Sequence, residues 1–83
     1  MKLIFVWSAS ARAELRRVER ETARRILLAL TRYAETGEGD VKVLEGKFGG
    51  THRLRVGDWR VRFRRAPGDA IHVLAVENRG QAY

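Results

Sequence analysis

The apolar positions of the chain fall into blocks of different period. Residues 2–7, Lys-Leu-Ile-Phe-Val-Trp, form a short run of branched and aromatic side chains, which predicts a strand. Ser8 and Ser10 follow as candidate helix N-caps, neither with the Glu or Gln three residues on that would complete a capping box. From there to Thr36 no Gly or Pro occurs. Ala11, Leu15 and Val18 share one face of a first helix. Ala23, Ile26, Leu27, Leu30, Tyr33 and Ala34 share one face of a second, at spacings of three and four. A turn near residues 19–21 is expected between them, because folding back into a helical hairpin buries both stripes.

Beyond Gly37-Glu38-Gly39-Asp40, a loop, the period changes. Residues 41–44 read as a short extended or irregular piece, and 46–50 as a flexible stretch carrying Lys47 and Phe48. Three strand-like runs follow, at 51–56, 59–65 and 70–77. The first two are joined by Gly57-Asp58, a two-residue turn with Gly in the first central position, as type II′ requires. Pro67-Gly68-Asp69 makes the next turn. The predicted fold is α+β, a single domain over residues 1–83 in the order β-α-α-β-β-β. Its helical hairpin packs on one face of a small antiparallel sheet.

The tight turn also sets a register. Val56 should face Trp59, Arg55 face Arg60, Leu54 face Val61 and Arg53 face Arg62. Alternation then sends His52, Leu54, Val56, Trp59, Val61 and Phe63 toward the helices. The opposite face carries Arg53, Arg55, Arg60, Arg62 and Arg64, with no acid. Like charges directly opposed across strands cost some tenths of a kcal/mol per pair, so such a face points to a function. If Arg65 and Ala70 flank the second turn, Trp59 pairs with Val76 and Arg60 with Ala75. Ile71, Val73, Ala75, Glu77 and Arg79 then join the arginine face, and His72, like His52, points to the core.

Charge strengthens this picture. Lys plus Arg number 17 against 10 Asp plus Glu, for a net charge of +7. Of the basic residues, 14 are arginine, the side chain suited to planar, bidentate contact with phosphate or carboxylate. The footprint is that of a polyanion binder, with nucleic acid first and an acidic protein second. Cysteine is absent, which excludes disulfides, thiolate metal sites and a cysteine nucleophile. No apolar run is long enough to span a membrane and no signal peptide is readable, so a cytoplasmic location is expected.

The residues contain no Ser-His-Asp arrangement, no phosphate-binding glycine loop and no carboxylate pair of catalytic spacing. Arginines and the terminal Tyr83 remain. These suit RNA cleavage by the 2′-hydroxyl, which needs in-line positioning, charge stabilisation at phosphorus and two proton transfers. A basic sheet equally describes a non-catalytic binder.

The element order, the run VKVLEGKFGGTHRLRVGDWRVRF and the ending VENRGQAY resemble the RelE/ParE superfamily of type II toxin–antitoxin toxins over nearly the whole chain. The most specific parts are Leu44-Glu45-Gly46, the hairpin from Arg53 to Val61, and Arg79 followed by Tyr83. The resemblance implies, for the favoured RelE-like branch, a ribosome-dependent endoribonuclease. Such toxins cut mRNA in the A site, use no metal or other cofactor, and leave a 2′,3′-cyclic phosphate. By position, Arg60 and Arg79 would stabilise charge at phosphorus, and Tyr83 would stack on a base or activate the 2′-hydroxyl. Arg53 and Arg55 would hold the RNA, and Arg62 and Lys47 are expected to add contacts to it. Implied partners are a cognate antitoxin, the ribosome and mRNA. The chain departs from many relatives in reading Asn78 before Arg79, where they carry a histidine, and asparagine cannot serve as a general base. The ParE branch shares the scaffold but inhibits DNA gyrase by binding it, and an inactive toxin-like binding module is a third reading.

Overall fold

The computed structural model describes residues 4–78. Within them lie β1 (Ile4–Trp7), α1 (Ala9–Arg17), α2 (Arg20–Thr36), β2 (Asp40–Val43), β3 (His52–Val56), β4 (Trp59–Ala66) and β5 (Ala70–Asn78). A single 3-10 turn, Gly46–Phe48, lies between β2 and β3. The helical hairpin and the α+β class are as predicted. The sheet departs in two ways. Residues 40–43 form a regular strand, giving five strands in the order β1-β5-β4-β3-β2, and β1 runs parallel to β5, so the sheet is mixed. The connection from β1 to β5 passes through all the other elements, which no local pattern reveals.

The helices form where the caps allow. Ser8 accepts a hydrogen bond from the Ala11 N–H at 3.0 Å and opens α1. The chain then turns extended at Val18, and Glu19 caps α2 by accepting from the Glu21 N–H at 2.9 Å. Gly37 closes α2 at φ 76°, a left-handed conformation that a side chain rarely adopts, and its N–H reaches the Tyr33 carbonyl at 2.8 Å. Ala11, Val18, Ile26 and Leu30 from the helices meet Leu54, Val61, Phe63, Ile71, Val73 and Val76 from the sheet in one core. Leu27, predicted to face that core, is 43% exposed beside the exposed Leu28, because Ile26 and Leu30 already fill the contact with the sheet.

The β3–β4 register is the predicted one, residue for residue. Gly57 sits at φ 60° while Asp58 stays out of the left-handed region, as type II′ requires. The β4–β5 register is not. The turn is flanked by Ala66 and Ala70, and Leu74 is an extra residue opposite the Arg62/Phe63 step. Phe63 therefore faces Val73, whereas Arg62 faces Ala75 and Arg60 faces Glu77. The consequence is a switch of face within one strand. Ile71 and Val73, predicted beside the arginines, are fully buried in the core. His72, predicted in the core, pairs with Arg64 on the opposite face. From Ala75 onward the bulge restores the predicted side.

The bulge lies where β1 ends. Beyond Val73 the edge of β5 has no strand beside it, and α1 takes over its hydrogen bonds. The Ser8 N–H donates to the Val73 carbonyl at 3.0 Å, and the Ser8 hydroxyl donates to the Leu74 carbonyl at 3.2 Å. The Val76 N–H donates to Glu14 Oε1 at 2.9 Å. Removing that acceptor leaves a buried N–H unsatisfied, at a cost of about 1–3 kcal/mol. Glu14→Ala should therefore lower the melting temperature by roughly 4–8 °C per kcal/mol lost, with Glu14→Gln retaining most of the stability. Thermal unfolding followed by circular dichroism checks both; equal melting of Glu14→Ala and wild type would show that the bond is not needed.

Candidate nucleic-acid interface

Strand alternation and the hairpin register place Arg53 and Arg55 of β3 beside Arg60, Arg62 and Arg64 of β4, on the face away from the helices. Arg55 lies opposite Arg60 and Arg53 opposite Arg62, each a like-charge pair. β2 adds Asp40 and Lys42 at its register positions, opposite Arg55 and Arg53. β5 adds Ala75 and Glu77, opposite Arg62 and Arg60, and His72, opposite Arg64. Ala75 is buried yet stands outside the core cluster, so it is covered from the arginine side.

Hydrogen bonding here is incomplete. Arg53 Nε, Arg60 Nη1 and Arg62 Nε are buried without a partner, and so is Glu77 Oε1. Arg53 reaches Asp40 at 3.6 Å, but it is the arginine that is enclosed, 14% exposed against 61% for the acid, which leaves this a partial pairing. Arg55 donates through Nε to the Gly57 carbonyl at 3.3 Å and bends toward its own turn. Buried polar atoms are usually satisfied, each orphan costing of order 1–3 kcal/mol. Several on one face leave it chemically suited to a ligand rich in acceptors.

Phe48 is a member that the sequence did not single out. The Arg62 guanidinium lies 4.2 Å from its ring centroid, and Lys47 Nζ lies 5.6 Å away. Thr51, buried, holds the Phe48 carbonyl through its hydroxyl. The aromatic face thus steadies Arg62 and draws Lys47 to the same end of the sheet. The available signal was an aromatic residue between glycines in an otherwise polar loop. The structure brings together Arg53, Arg55, Arg60 and Arg62, and places Lys47 on the adjoining 3-10 turn. Arg79 and Tyr83 lie outside the described residues. His52 keeps its predicted side and stacks on Phe63 at 5.3 Å.

Two clefts flank Trp59 on the helical side, of about 280 Å³ beside Arg25 and about 190 Å³ beside Arg17 and Glu14. No arginine of the outer face lines either of these two clefts. Among the described residues no cluster of three His, Asp or Glu side chains could hold a metal ion, and no helix is long and apolar enough to cross a membrane.

Two helices on a five-strand mixed sheet is the architecture of the RelE/ParE-like toxins. The chain superposes on the RelBE2 toxin–antitoxin complex from Mycobacterium tuberculosis with a TM-score of 0.81, at 18% identity over 95% of this chain and 100% of that chain. The archaeal RelE–RelB complex from Pyrococcus horikoshii gives 0.77 at 26% identity, over 99% of this chain and 100% of that one. The intact RelBE complex from E. coli gives 0.73 at 12% identity, over 92% and 95%. No curated protein matches the sequence. The family model of the ParE toxin of the type II toxin–antitoxin system parDE matches residues 5–83. The chain belongs to this toxin family, within the RelE/ParE superfamily.

An acceptor-rich anion should relieve the arginine face. With phosphate at about ten times its dissociation constant, the native state gains about 1.4 kcal/mol, several degrees of melting temperature in a domain of this size. Chloride at equal ionic strength should give less. The double variant Arg53→Gln/Arg62→Gln should lose the phosphate-specific part, and scanning calorimetry in the two salts measures it.

Proposed function

We propose that this toxin is a ribosome-dependent mRNA endoribonuclease that arrests translation by cutting in the A site. The carrying observation is the convergence of Arg53, Arg55, Arg60 and Arg62 on one face, with buried guanidinium nitrogens that lack partners. RNA supplies what they lack, a chain of phosphate oxygens at regular spacing. In this reading Arg60 and Arg79 stabilise the charge that develops on the phosphorus oxygens. Arg53, Arg55, Arg62 and Lys47 hold the backbone, and Tyr83 stacks on a base or relays a proton. The chemistry is attack of the 2′-oxygen on phosphorus with loss of the 5′-oxygen, for which positioning and preorganised positive charge are the main demands.

The site of action is the cytoplasm, where the ribosome is. Several structural neighbours were solved as complexes with their antitoxins, which supports a cognate antitoxin here. An acidic, amphipathic segment would suit it, neutralising arginines and covering the exposed Leu27 and Leu28, or Ile4 and Val6.

Primer extension on a defined mRNA in a translating extract tests the reading. Cleavage within the A-site codon is expected only when ribosomes are present. Arg60→Ala or Arg79→Ala should lower the rate by about 10²–10³, as loss of one charge-stabilising donor does. Growth inhibition by a folded Arg79→Ala protein would count against it. The match to the ParE family model favours a second reading, inhibition of DNA gyrase without catalysis. Intact mRNA together with impaired supercoiling by purified gyrase would establish that reading instead.

A further inference from the structure

The cleavage reaction needs a group to take the 2′-hydroxyl proton, and the arginines cannot accept one. We propose that Glu77 is that proton acceptor. The inference rests on the ribonuclease reading above and supplies the base that Asn78 cannot be.

Glu77 is directly opposite Arg60, the arginine assigned to the phosphorus charge. Cross-strand partners have Cα atoms about 4.5–5.5 Å apart, so a phosphate held by Arg60 lies within reach of this carboxylate. The other candidate acceptors among the described residues of the face are less well placed. Asp40 sits on the edge strand, mostly exposed, and engages Arg53. His72 is opposite Arg64, four residues along β4 from Arg60, which at about 3.3 Å per residue is roughly 13 Å away. The charged groups around Glu77 are Arg60 and Arg62 on β4, Arg53 and Arg55 behind them on β3, and His72 on its own strand.

A carboxylate that merely neutralised Arg60 would close a hydrogen-bonded pair with it. Here Glu77 Oε1 is buried without a donor, while Arg60 Nη1, Arg62 Nε and Arg53 Nε are buried without acceptors. The two sets of orphan atoms are complementary to one ligand. A ribonucleotide phosphodiester offers acceptor oxygens to the guanidiniums and one adjacent hydroxyl donor, the 2′-OH, to the carboxylate. The bulge at Leu74 contributes directly, because the extra residue brings Glu77 to this face after Ile71 and Val73 have entered the core.

The step balances without a co-reactant. The 2′-OH proton passes to the Glu77 carboxylate as the 2′-oxygen bonds to phosphorus. The P–O5′ bond breaks, leaving a 2′,3′-cyclic phosphate on one fragment. The departing 5′-oxygen takes a proton from water, and Glu77 releases its own to solvent.

The test is single-turnover cleavage of ribosome-bound mRNA by wild type, Glu77→Gln and Glu77→Asp, each checked for folding by circular dichroism and for affinity to uncleavable 2′-deoxy-substituted mRNA on the ribosome. Loss of a general base should slow Glu77→Gln by about 10²–10⁴ with affinity nearly unchanged. Its residual rate should climb tenfold per pH unit through the neutral range, as hydroxide replaces the missing base, a dependence that differs from the wild-type profile. Glu77→Asp should fall between the two. Glu77→Gln cleaving at the wild-type rate with the wild-type profile, while Arg60→Ala is inactive, would overturn this assignment and leave the ribonuclease reading standing. Wild type that leaves mRNA intact would overturn both.

Discussion

The bulge at Leu74 is the constraint on which the arrangement of this molecule turns. A regular strand of this length would present one set of alternate residues to the helices from end to end. β5 instead sends Ile71 and Val73 into the core and then, after one extra residue, Val76 into the core and Ala75 and Glu77 to the arginine face. The switch happens where β1 stops. Ser8 closes β1 against Val73, caps α1 through its hydroxyl oxygen and donates to the Leu74 carbonyl with the same group. Glu14, further along α1, takes the Val76 N–H. The end of one strand, the start of a helix and the irregularity of a second strand are thus one hydrogen-bonded unit. Bulges commonly re-aim side chains beside functional sites, and this one serves the face where the arginines gather.

The face itself is built against local preference. Two arginine pairs directly opposed across β3 and β4, with buried nitrogens left unpaired, cost stability that the core must supply. The supporting half is correspondingly conventional. Phe63 is fully buried, packs against Tyr33 at 5.3 Å and carries His52 on its ring. The charged residues stand on strands anchored by that core. The guanidiniums are therefore held close to where a ligand would need them, and less ordering remains to be done when it arrives.

How much of this could be read in advance depended on the range of the interaction. Alternation and the Gly57-Asp58 turn are local, and they gave the β3–β4 register and the arginine face correctly. Caps and helical periodicity gave the hairpin, apart from Leu27, whose spacing fitted the buried stripe although the contact was already filled. The β4–β5 register was misjudged twice, first at the turn, which is one residue shorter than expected, and then at a bulge whose hydrogen bonds come from Ser8 and Glu14, more than sixty residues upstream. The parallel pairing of β1 with β5 is equally non-local. His72 and Val73 exchanged faces because Ala66, not Arg65, flanks the turn with Ala70, a shift of one residue. Phe48 was read only as part of a flexible stretch, because its place at the site requires Arg62 to lie over its ring, which sequence spacing does not express.

The chemistry of the face argues for an extended partner that carries both acceptors and donors. An anion alone would satisfy the guanidiniums and repel Glu77. A purely acidic protein segment would do the same, since every carboxylate brought in adds to the negative charge already present. A ribose phosphate chain avoids this conflict because its acceptors and its hydroxyl donors alternate along one polymer. An antitoxin meets the same constraint if it neutralises Arg53, Arg55 and Arg62 but leaves the immediate surroundings of Glu77 to a neutral or donating group. Inhibition of the toxin would then need no mimicry of the substrate at the reacting atoms. It would need occupation of the flanking arginines, which in the proposed reading hold the RNA backbone, and neutralisation and catalysis would then depend on overlapping but separable parts of a single sheet.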